Sequence, residues 1–253
     1  VVVDVGCNDG TLLKAYPGNL IKVGFDPVEK FGDKLKDMIF VNDYFSAKNY
    51  PLDQKAKVVT AISMFYDLDD PNQFLEDVVA ILDDQGVFIV QQNYLVSMLR
   101  NRAFDNIVHE HLEYYSLTSL DFLLRKHGLF IFRAEVNDLN GGSIRTFIAK
   151  IGQREPTEAE EAALRLLRRQ EQDMGLDKWY VYQGFGQEVE GICHDLHDFI
   201  ETVVKQGKKV YVYGASTKGN TLLQFYNLNY KLIKAAAERN PNKWGTKTVG
   251  TNI

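Results

Sequence analysis

Short apolar runs alternate with amphipathic stretches through residues 1–150. Continuous apolar runs are typical of parallel strands whose two faces are both covered by helices. Between these runs the spacing predicts helices, such as Pro71–Leu82 and Ser119–Lys126. The fold class that follows is α/β, with a Rossmann-like sheet. The predicted strands are Val1–Val5, Ile21–Phe25, Ile39–Asn42, Val58–Ile62, Val87–Gln91, Leu129–Val136 and Ser143–Lys150.

The composition changes after the last of these strands. Thr157 and Glu160 form a capping box, and helical sequence then continues, with glycine interruptions, to about Gln206. A strand at Lys209–Tyr213, a glycine turn and a further helix follow. We therefore predict a sheet domain at 1–152, a helical connector at 153–207 and a partial second Rossmann-like domain at 208–253.

Composition narrows the class of protein. A net charge of -5 over 253 residues gives no general attraction to nucleic acid or to an anionic membrane, so we expect neither as a partner. Cys7 and Cys193 are the only cysteines, which fits a reducing compartment and a cytoplasmic location. No apolar run approaches the roughly 20 residues that a membrane span needs. Because the chain starts abruptly in a strand, we expect it to be a piece of a longer protein.

The first predicted strand leads into a glycine loop, Gly6–Gly10, and then a helix, while the second strand ends on Asp26. This order is typical of a binding site for an adenosine-containing cofactor. The glycines let the backbone approach the ligand closely, and a carboxylate can bind two ribose hydroxyls. The loop lacks the Gly-x-Gly-x-x-Gly series, which favours S-adenosylmethionine (SAM) over a dinucleotide. A turn without a ligand is the alternative.

Two further strands end on candidate cofactor contacts. Asp43 and Tyr44 close the third strand, where they can contact the amino group and face of an adenine. Ser63 and Met64 follow the fourth strand, at the edge where open α/β sheets bind ligands. A loop aspartate beside core aromatics explains the first pair equally well.

Residues 104–116 hold the densest run of proton-transfer groups, with His109, Glu110 and His111 at its centre. Zinc would need another ligand that no nearby Cys or His supplies, and the spacing is not His-Glu-x-x-His, so we expect no metal. General base catalysis fits better, with one histidine taking a proton while Glu110 orients it. Histidines that are merely hydrogen-bonded in a packed loop remain the alternative.

The turn at 214–219 carries a third candidate site. Asn220 stands where a P-loop needs lysine, and Ser216 replaces the middle glycine of a dinucleotide fingerprint. Glu238 nevertheless lies where a ribose-binding acid could fall, so a nicotinamide site stays open. Lys218 at the start of a helix suits a phosphate, and a purely structural turn is the alternative.

The remaining histidines are expected to be structural. Cys193, His194 and His197 lie on an amphipathic helix, and we assign them to its solvated face. His127 is expected to contact the carbonyl groups at the end of its helix.

Taken together, the chain resembles the SAM-dependent sugar C-methyltransferases, which act on keto-deoxysugars linked to a nucleoside diphosphate. That family implies a SAM-binding domain at 1–152, a second Rossmann-like domain and a preceding cysteine-rich module, the one place where zinc is expected. Two departures are Val108, where an aromatic is usual, and Asn140, where histidine often stands. The resemblance rests on Asp4–Thr11, Phe104–His111, Tyr114–Leu117, Gly141–Arg145 and Tyr213–Thr221.

The resemblance also implies roles for single residues. The ribose of SAM would lie on Asp26, its adenine near Asp43 and Tyr44, and its remaining contacts would include Ser63 and Met64. The methionine part would lie over the loop residues Asp4, Gly6, Cys7, Asn8, Asp9 and Gly10.

For the chemistry, the resemblance implies that His111 removes a proton beside the ketone and that Glu110 orients it. His109 or Tyr66 would hydrogen-bond the enolate oxygen. The small-molecule substrate, a nucleotide-linked sugar, would contact Asn93, Tyr94, Lys218 and Asn220. Three alternatives stay open: O- or N-methylation of an activated sugar, a nicotinamide-dependent sugar oxidoreductase, and a non-catalytic module that binds a nucleotide sugar.

Overall fold

The computed structural model describes residues 1–253 and follows the predicted alternation. The strands are β1 (Val2–Val5), β2 (Lys22–Phe25), β3 (Ile39–Val41), β4 (Ala56–Ile62), β5 (Leu82–Asn93), β6 (Leu129–Asn137), β7 (Ser143–Lys150), β8 (Val210–Tyr213) and β9 (Ile233–Ala237). The α-helices are α1 (Thr11–Ala15), α2 (Pro71–Ile81), α3 (Leu95–Asn101), α4 (Leu117–Arg125), α5 (Glu158–Met174), α6 (Trp179–Lys205) and α7 (Thr217–Phe225). No helix is both long and apolar enough to cross a membrane.

Seven strands form one sheet in the order β3-β2-β1-β4-β5-β7-β6. Strands β1 to β5 are parallel, and β7 runs antiparallel to both of its neighbours. The strand order reverses at β1, which pairs with β2 on one side and β4 on the other. Ligands bind at such a switch point, beyond the carboxyl ends of the strands. The predicted Rossmann-like α/β fold is confirmed.

Helices bury the apolar faces of this sheet. All four residues of β1 are buried, which explains why its sequence shows no polar alternation. Helix α2 begins at Pro71, where the side chain of Asp70 accepts the N–H of Gln73, and it buries Leu75 and Val78 completely. Leu13 of α1 is equally buried on the core side of the glycine loop.

The chain divides into two compact units, residues 1–98 with 112–174 and residues 99–111 with 175–253. The predicted connector at 153–207 is divided between the two units, because α5 belongs to the first unit and α6 to the second. Thr157 and Glu160 form the predicted capping box at the start of α5.

The second unit contains a β-α-β element. Strands β8 and β9 are parallel, with Val212 opposite Ala236, and α7 connects them. The N-terminus of α7 is capped by Ser216, whose hydroxyl accepts the N–H of Gly219. A small core joins these elements to α6 and consists of Ile200, Leu223, Leu228 and Ile233.

A buried carboxylate connects α5 to α4. Glu171 is 4% exposed and accepts the Tyr94 hydroxyl at 2.9 Å, the main-chain N–H groups of Leu117 and Thr118, and the Thr118 hydroxyl. These donors lie at the start of α4, where the helix dipole favours a negative charge. Glu171 therefore serves as a cap supplied by another helix.

We expect Glu171→Ala to lower the free energy of unfolding by about 3 kcal/mol, because it leaves buried donors without an acceptor. Urea denaturation measures the change. The matched control is Glu161→Ala on the exposed face of α5, which should change stability by less than about 0.5 kcal/mol. Equal effects of the two variants would contradict the capping role.

Asp4 on β1 is a second buried carboxylate, 4% exposed, that accepts the Thr60 hydroxyl at 2.5 Å. Burial and, to a smaller extent, the charge of Asp26 raise its pKa to about 6, despite the opposing Thr60 hydrogen bond. Since the folded-state pKa exceeds the ordinary value of 3.8, ionisation of Asp4 destabilises the fold as the pH rises through 6.

The Asp4→Asn variant should therefore be more stable than the native protein at pH 8, by up to about 3 kcal/mol. The difference should fade as the pH approaches 4, and urea midpoints between pH 4 and pH 8 measure it. Asp9→Asn is the control, and it should be less stable than the native protein at pH 8. The reason is that hydrogen bonds from Thr11 lower the pKa of Asp9. A loss of stability at pH 8 in Asp4→Asn would refute the assignment.

Candidate functional site

Left-handed backbone shapes the loop after β1. Gly6, Asn8 and Gly10 have φ values of 71°, 48° and 72°. At Gly10, a Cβ atom would lie 2.1 Å from Cδ2 of Leu35, so only glycine fits there. The carbonyl of Phe25 accepts the N–H groups of Gly6 and Cys7, which turns the loop over the end of β2.

The first cavity, which we call cavity A, has a volume of about 460 Å³ and lies beside this loop. The predicted contacts Asp4, Gly6, Cys7, Asn8 and Asp9 all line it. Burial and the charges of Asp4 and Asp26 raise the pKa of the Cys7 thiol to about 12, so this side chain stays neutral. Cavity A therefore presents carboxylate oxygens and main-chain groups, and no thiolate.

The sheet adds residues to cavity A that the sequence analysis missed. Ile62 pairs with Gln91, which pairs with Arg145, so one row of residues crosses three strands. The Arg145 guanidinium, the cation of this cavity, donates to Gln91 Oε1 at 2.8 Å. The available signal was a polar glutamine ending the apolar run of β5. The other added lining residues are Thr11, Leu12, Tyr16, Thr60, Ile89 and Phe147.

Cavity B, of about 350 Å³, lies on the other side of Gly6 and is mostly apolar. It contains the predicted residues Asp43, Tyr44 and Met64. The Tyr44 side chain is 76% exposed, while Asp43 is held by the side-chain amide of Asn49 at 3.0 Å. An exposed ring beside an acceptor suits an adenine.

Three predicted cofactor residues lie outside the linings of both cavities: Asp26, Gly10 and Ser63. Asp26 is 5% exposed, and its two oxygens accept the N–H groups of Asn8 and Val28. Its observed role is to hold the loop, and a ribose contact stays a prediction. Ser63 is exposed, and its N–H donates to the carbonyl of Gln91.

Residues 104–111, which we call the histidine segment, belong to the second unit. Phe104 anchors it by packing against Phe225 and Tyr226. His111 is partly buried, and its imidazole donates to the main-chain carbonyl of Asn106. Burial lowers the pKa of His111, and the charge of Lys218 lowers it further, against the opposing effects of Asn106, Glu110 and Asp105. At neutral pH this imidazole is therefore unprotonated and able to accept a proton.

The Asn106 carbonyl supplies one orienting contact to His111, and the charge of Glu110 also acts on the ring. Glu110 and His109 are both exposed, with 4.0 Å between the Glu110 carboxylate and the His109 ring. The orienting role of Glu110 stays a prediction. The Asn106 contact could not be predicted from the sequence, because a main-chain acceptor carries no residue signature.

In the first unit, Tyr66 is buried, and burial together with Asp67 raises its pKa despite a hydrogen bond with Ser63. Its hydroxyl therefore remains a donor at neutral pH. Asn93 ends β5 opposite Ser143.

The position of Tyr94 differs from the predicted substrate contact, because its side chain is 1% exposed and its hydroxyl is bonded to Glu171. Tyr94 belongs to the core and has no surface to offer a substrate.

Cavity C, in the second unit, has a volume of about 630 Å³ and lies beyond the carboxyl ends of β8 and β9. Asn220 lines it, and its Oδ1 is buried without a hydrogen-bond partner. Lys218 does not line it, since its ammonium lies 2.5 Å from Asn106 Oδ1. Glu238 lines it while accepting the N–H of Ala215, and the other polar lining residues are Thr217, Lys243, Trp244, Thr246, Lys247 and Thr248.

The remaining candidates make structural contacts. The Cys193 thiol and the His197 ring bond to the carbonyls of Phe225 and Tyr226. His127 contacts the side chain of Asn72 at 3.0 Å, where a main-chain carbonyl was expected. No cluster of three or more His, Cys, Asp or Glu side chains is arranged to hold a metal ion.

Comparison with known proteins identifies both halves of the sequence. Residues 1–132 match the family model of a methyltransferase domain, and residues 138–253 match that of the C-methyltransferase C-terminal domain. The C-methyltransferase NovU of Streptomyces niveus is 33% identical over 198 residues, which are 78% of this chain and 46% of that protein. The chain thus spans about half the length of this curated relative.

Similar solved structures include magnesium protoporphyrin IX methyltransferase from Synechocystis PCC 6803, with bound SAH. It is 13% identical, with 59% of this chain and 74% of that chain covered and a TM-score of 0.47. A SAM-dependent methyltransferase from Clostridium acetobutylicum is also 13% identical, with 60% and 84% covered and a TM-score of 0.47. The assignment rests on the sequence matches. The chain belongs to the C-methyltransferase family of SAM-dependent methyltransferases.

Proposed function

We propose that this protein methylates a carbon atom of a nucleotide-linked keto-deoxysugar, with His111 as the general base. The observation that carries the proposal is the environment of His111, a partly buried imidazole held unprotonated beside an orienting carbonyl. The name of the relative NovU, a C-methyltransferase, supports a carbon acceptor. O- or N-methylation would use the same cavities on a different acceptor atom.

The residues of the first unit fit SAM. Cavities A and B meet at Gly6, so one ligand can extend along both sides of the loop. Asp4 and Asp9 supply negative charge on one side for a cationic cofactor, and Tyr44 supplies a ring for adenine on the other. When bound, SAM supplies an electrophilic methyl group.

A carbon nucleophile has to be generated before it can be methylated. The neutral His111 ring accepts the proton from the carbon beside the ketone, and the electron pair of that bond passes into the enolate. The imidazolium that forms keeps its contact with the Asn106 carbonyl and faces the charges of Asp105 and Glu110. His109, in the same unit, is the proposed donor to the enolate oxygen.

The second unit supports a nucleotide substrate. The lining of cavity C includes Lys243, Lys247 and Trp244, and Trp244 is 66% exposed. Asn220 adds a buried, unpaired Oδ1 in the same cavity lining. Cations, an aromatic face and a polar amide together suit a nucleoside diphosphate. Cys7 and Cys193 are both free of disulfides, which fits a reducing compartment, and we propose a cytoplasmic location.

The match of residues 138–253 to a C-methyltransferase domain weighs against the nicotinamide-dependent alternative. Val108 is buried and apolar, so it cannot donate to the substrate as a tyrosine at this position would. Asn140, the second departure from the family, lies in a left-handed turn with a φ of 53°. We propose that Val108 and Asn140 affect which sugar the protein accepts as a substrate.

Removing the ring at Tyr44 should weaken cofactor binding. Calorimetry with SAH should show about a tenfold loss of affinity in Tyr44→Ala, the amount expected for one stacked base. Tyr44→Phe keeps the ring and should bind like the native protein. Tyr230→Ala removes a comparably exposed ring from the second unit and should change nothing. An unchanged affinity in Tyr44→Ala would remove adenine from cavity B.

His111→Asn should keep SAH affinity and lose turnover by a factor of about 100 to 10,000, the usual contribution of a general base. Proton removal can be followed separately, by NMR detection of deuterium uptake from D2O at the carbon beside the ketone. This exchange should disappear with His111→Asn.

The matched control is His194→Asn, which removes an exposed histidine of the same unit that pairs with Asp198. It should retain both turnover and exchange. Turnover at the native rate in His111→Asn would reject His111 as the base.

A further inference from the structure

Helix α7 directs Lys218 toward the histidine segment. Its Nζ lies 2.5 Å from Oδ1 of Asn106 and 3.9 Å from Oδ2 of Asp105. One third of the side chain is exposed. The lysine that the sequence analysis assigned to a phosphate thus has its observed partners within the second unit.

Asn106 transmits this contact to the base. It is 2% exposed, and its Nδ2 donates to the carbonyl of Ala103 at 3.2 Å. Its own main-chain carbonyl accepts the imidazole of His111. A continuous set of hydrogen bonds therefore runs from Lys218 through one buried residue to His111.

We propose that Lys218 is a positioning residue for His111, because it fixes the asparagine that orients the imidazole and brings a positive charge to the base. The inference rests on the proposed role of His111. It replaces the assignment of Lys218 as a ligand of the substrate diphosphate.

The charges around His111 explain why the ammonium matters. The charged groups that act on it are Glu110 and Asp105 from its own segment and Lys218 from α7. The two carboxylates favour the imidazolium, whereas Lys218 and burial favour the neutral ring. Without Lys218 the carboxylates would act unopposed, and the ring would hold its proton to a higher pH.

The test compares Lys218→Met with Lys218→Arg by NMR titration of the histidine rings, with His111→Asn assigning the resonance. We expect the pKa of His111 to move upward in Lys218→Met and to stay near the native value in Lys218→Arg. The acid limb of the pH profile of kcat/KM should move in the same direction. The KM for the nucleotide-linked substrate should stay unchanged. Lys205→Met, which breaks an ion pair with Glu201 on α6, should leave the titration unaltered.

Circular dichroism of each variant confirms that it is folded. An unmoved His111 titration in folded Lys218→Met would overturn the proposal. So would a raised KM with an unmoved pH profile, which would return Lys218 to the phosphate. A titration that moves without a matching change in the kcat/KM profile would support the positioning contact and reject His111 as the base.

Discussion

The Asp26 carboxylate holds the loop at residues 6–10 against the end of β2, and the proposed cofactor site depends on that contact. Its oxygens accept one N–H from Asn8 in the loop and one from Val28 beyond β2. Both donors are main-chain N–H groups, so these two contacts do not depend on the side chains of Asn8 and Val28. Gly6 lines both cavities, and the proposed function has a single extended ligand occupying them.

The same arrangement places two carboxylates where they repel each other. Asp4 is buried at the end of β1, and the charge of Asp26 raises the pKa of Asp4. An ionised pair there destabilises the empty protein. In the proposed cofactor site, the positive charge of SAM would offset this repulsion.

Local patterns predicted the elements well, whereas contacts between distant residues could not be predicted. The buried strand β1 and the Thr157–Glu160 capping box depend on short sequence spacing. The Gln91–Arg145 pair depends on strand register, so the polar Gln91 is visible at the end of an apolar run but its partner is not. The Lys218–Asn106 contact joins residues 112 positions apart. For that reason the motif at 214–219 suggested a phosphate site, although the observed partners of its lysine lie beside His111.

The central claim is that a methyl group from SAM reaches a carbon atom. NMR of the product formed from SAM labelled with carbon-13 in the methyl group tests it most directly, with a nucleotide-linked keto-deoxysugar as acceptor. We expect the labelled methyl to couple to a carbon of the sugar ring and to survive acid hydrolysis. A labelled methyl bound to oxygen or nitrogen would contradict the claim.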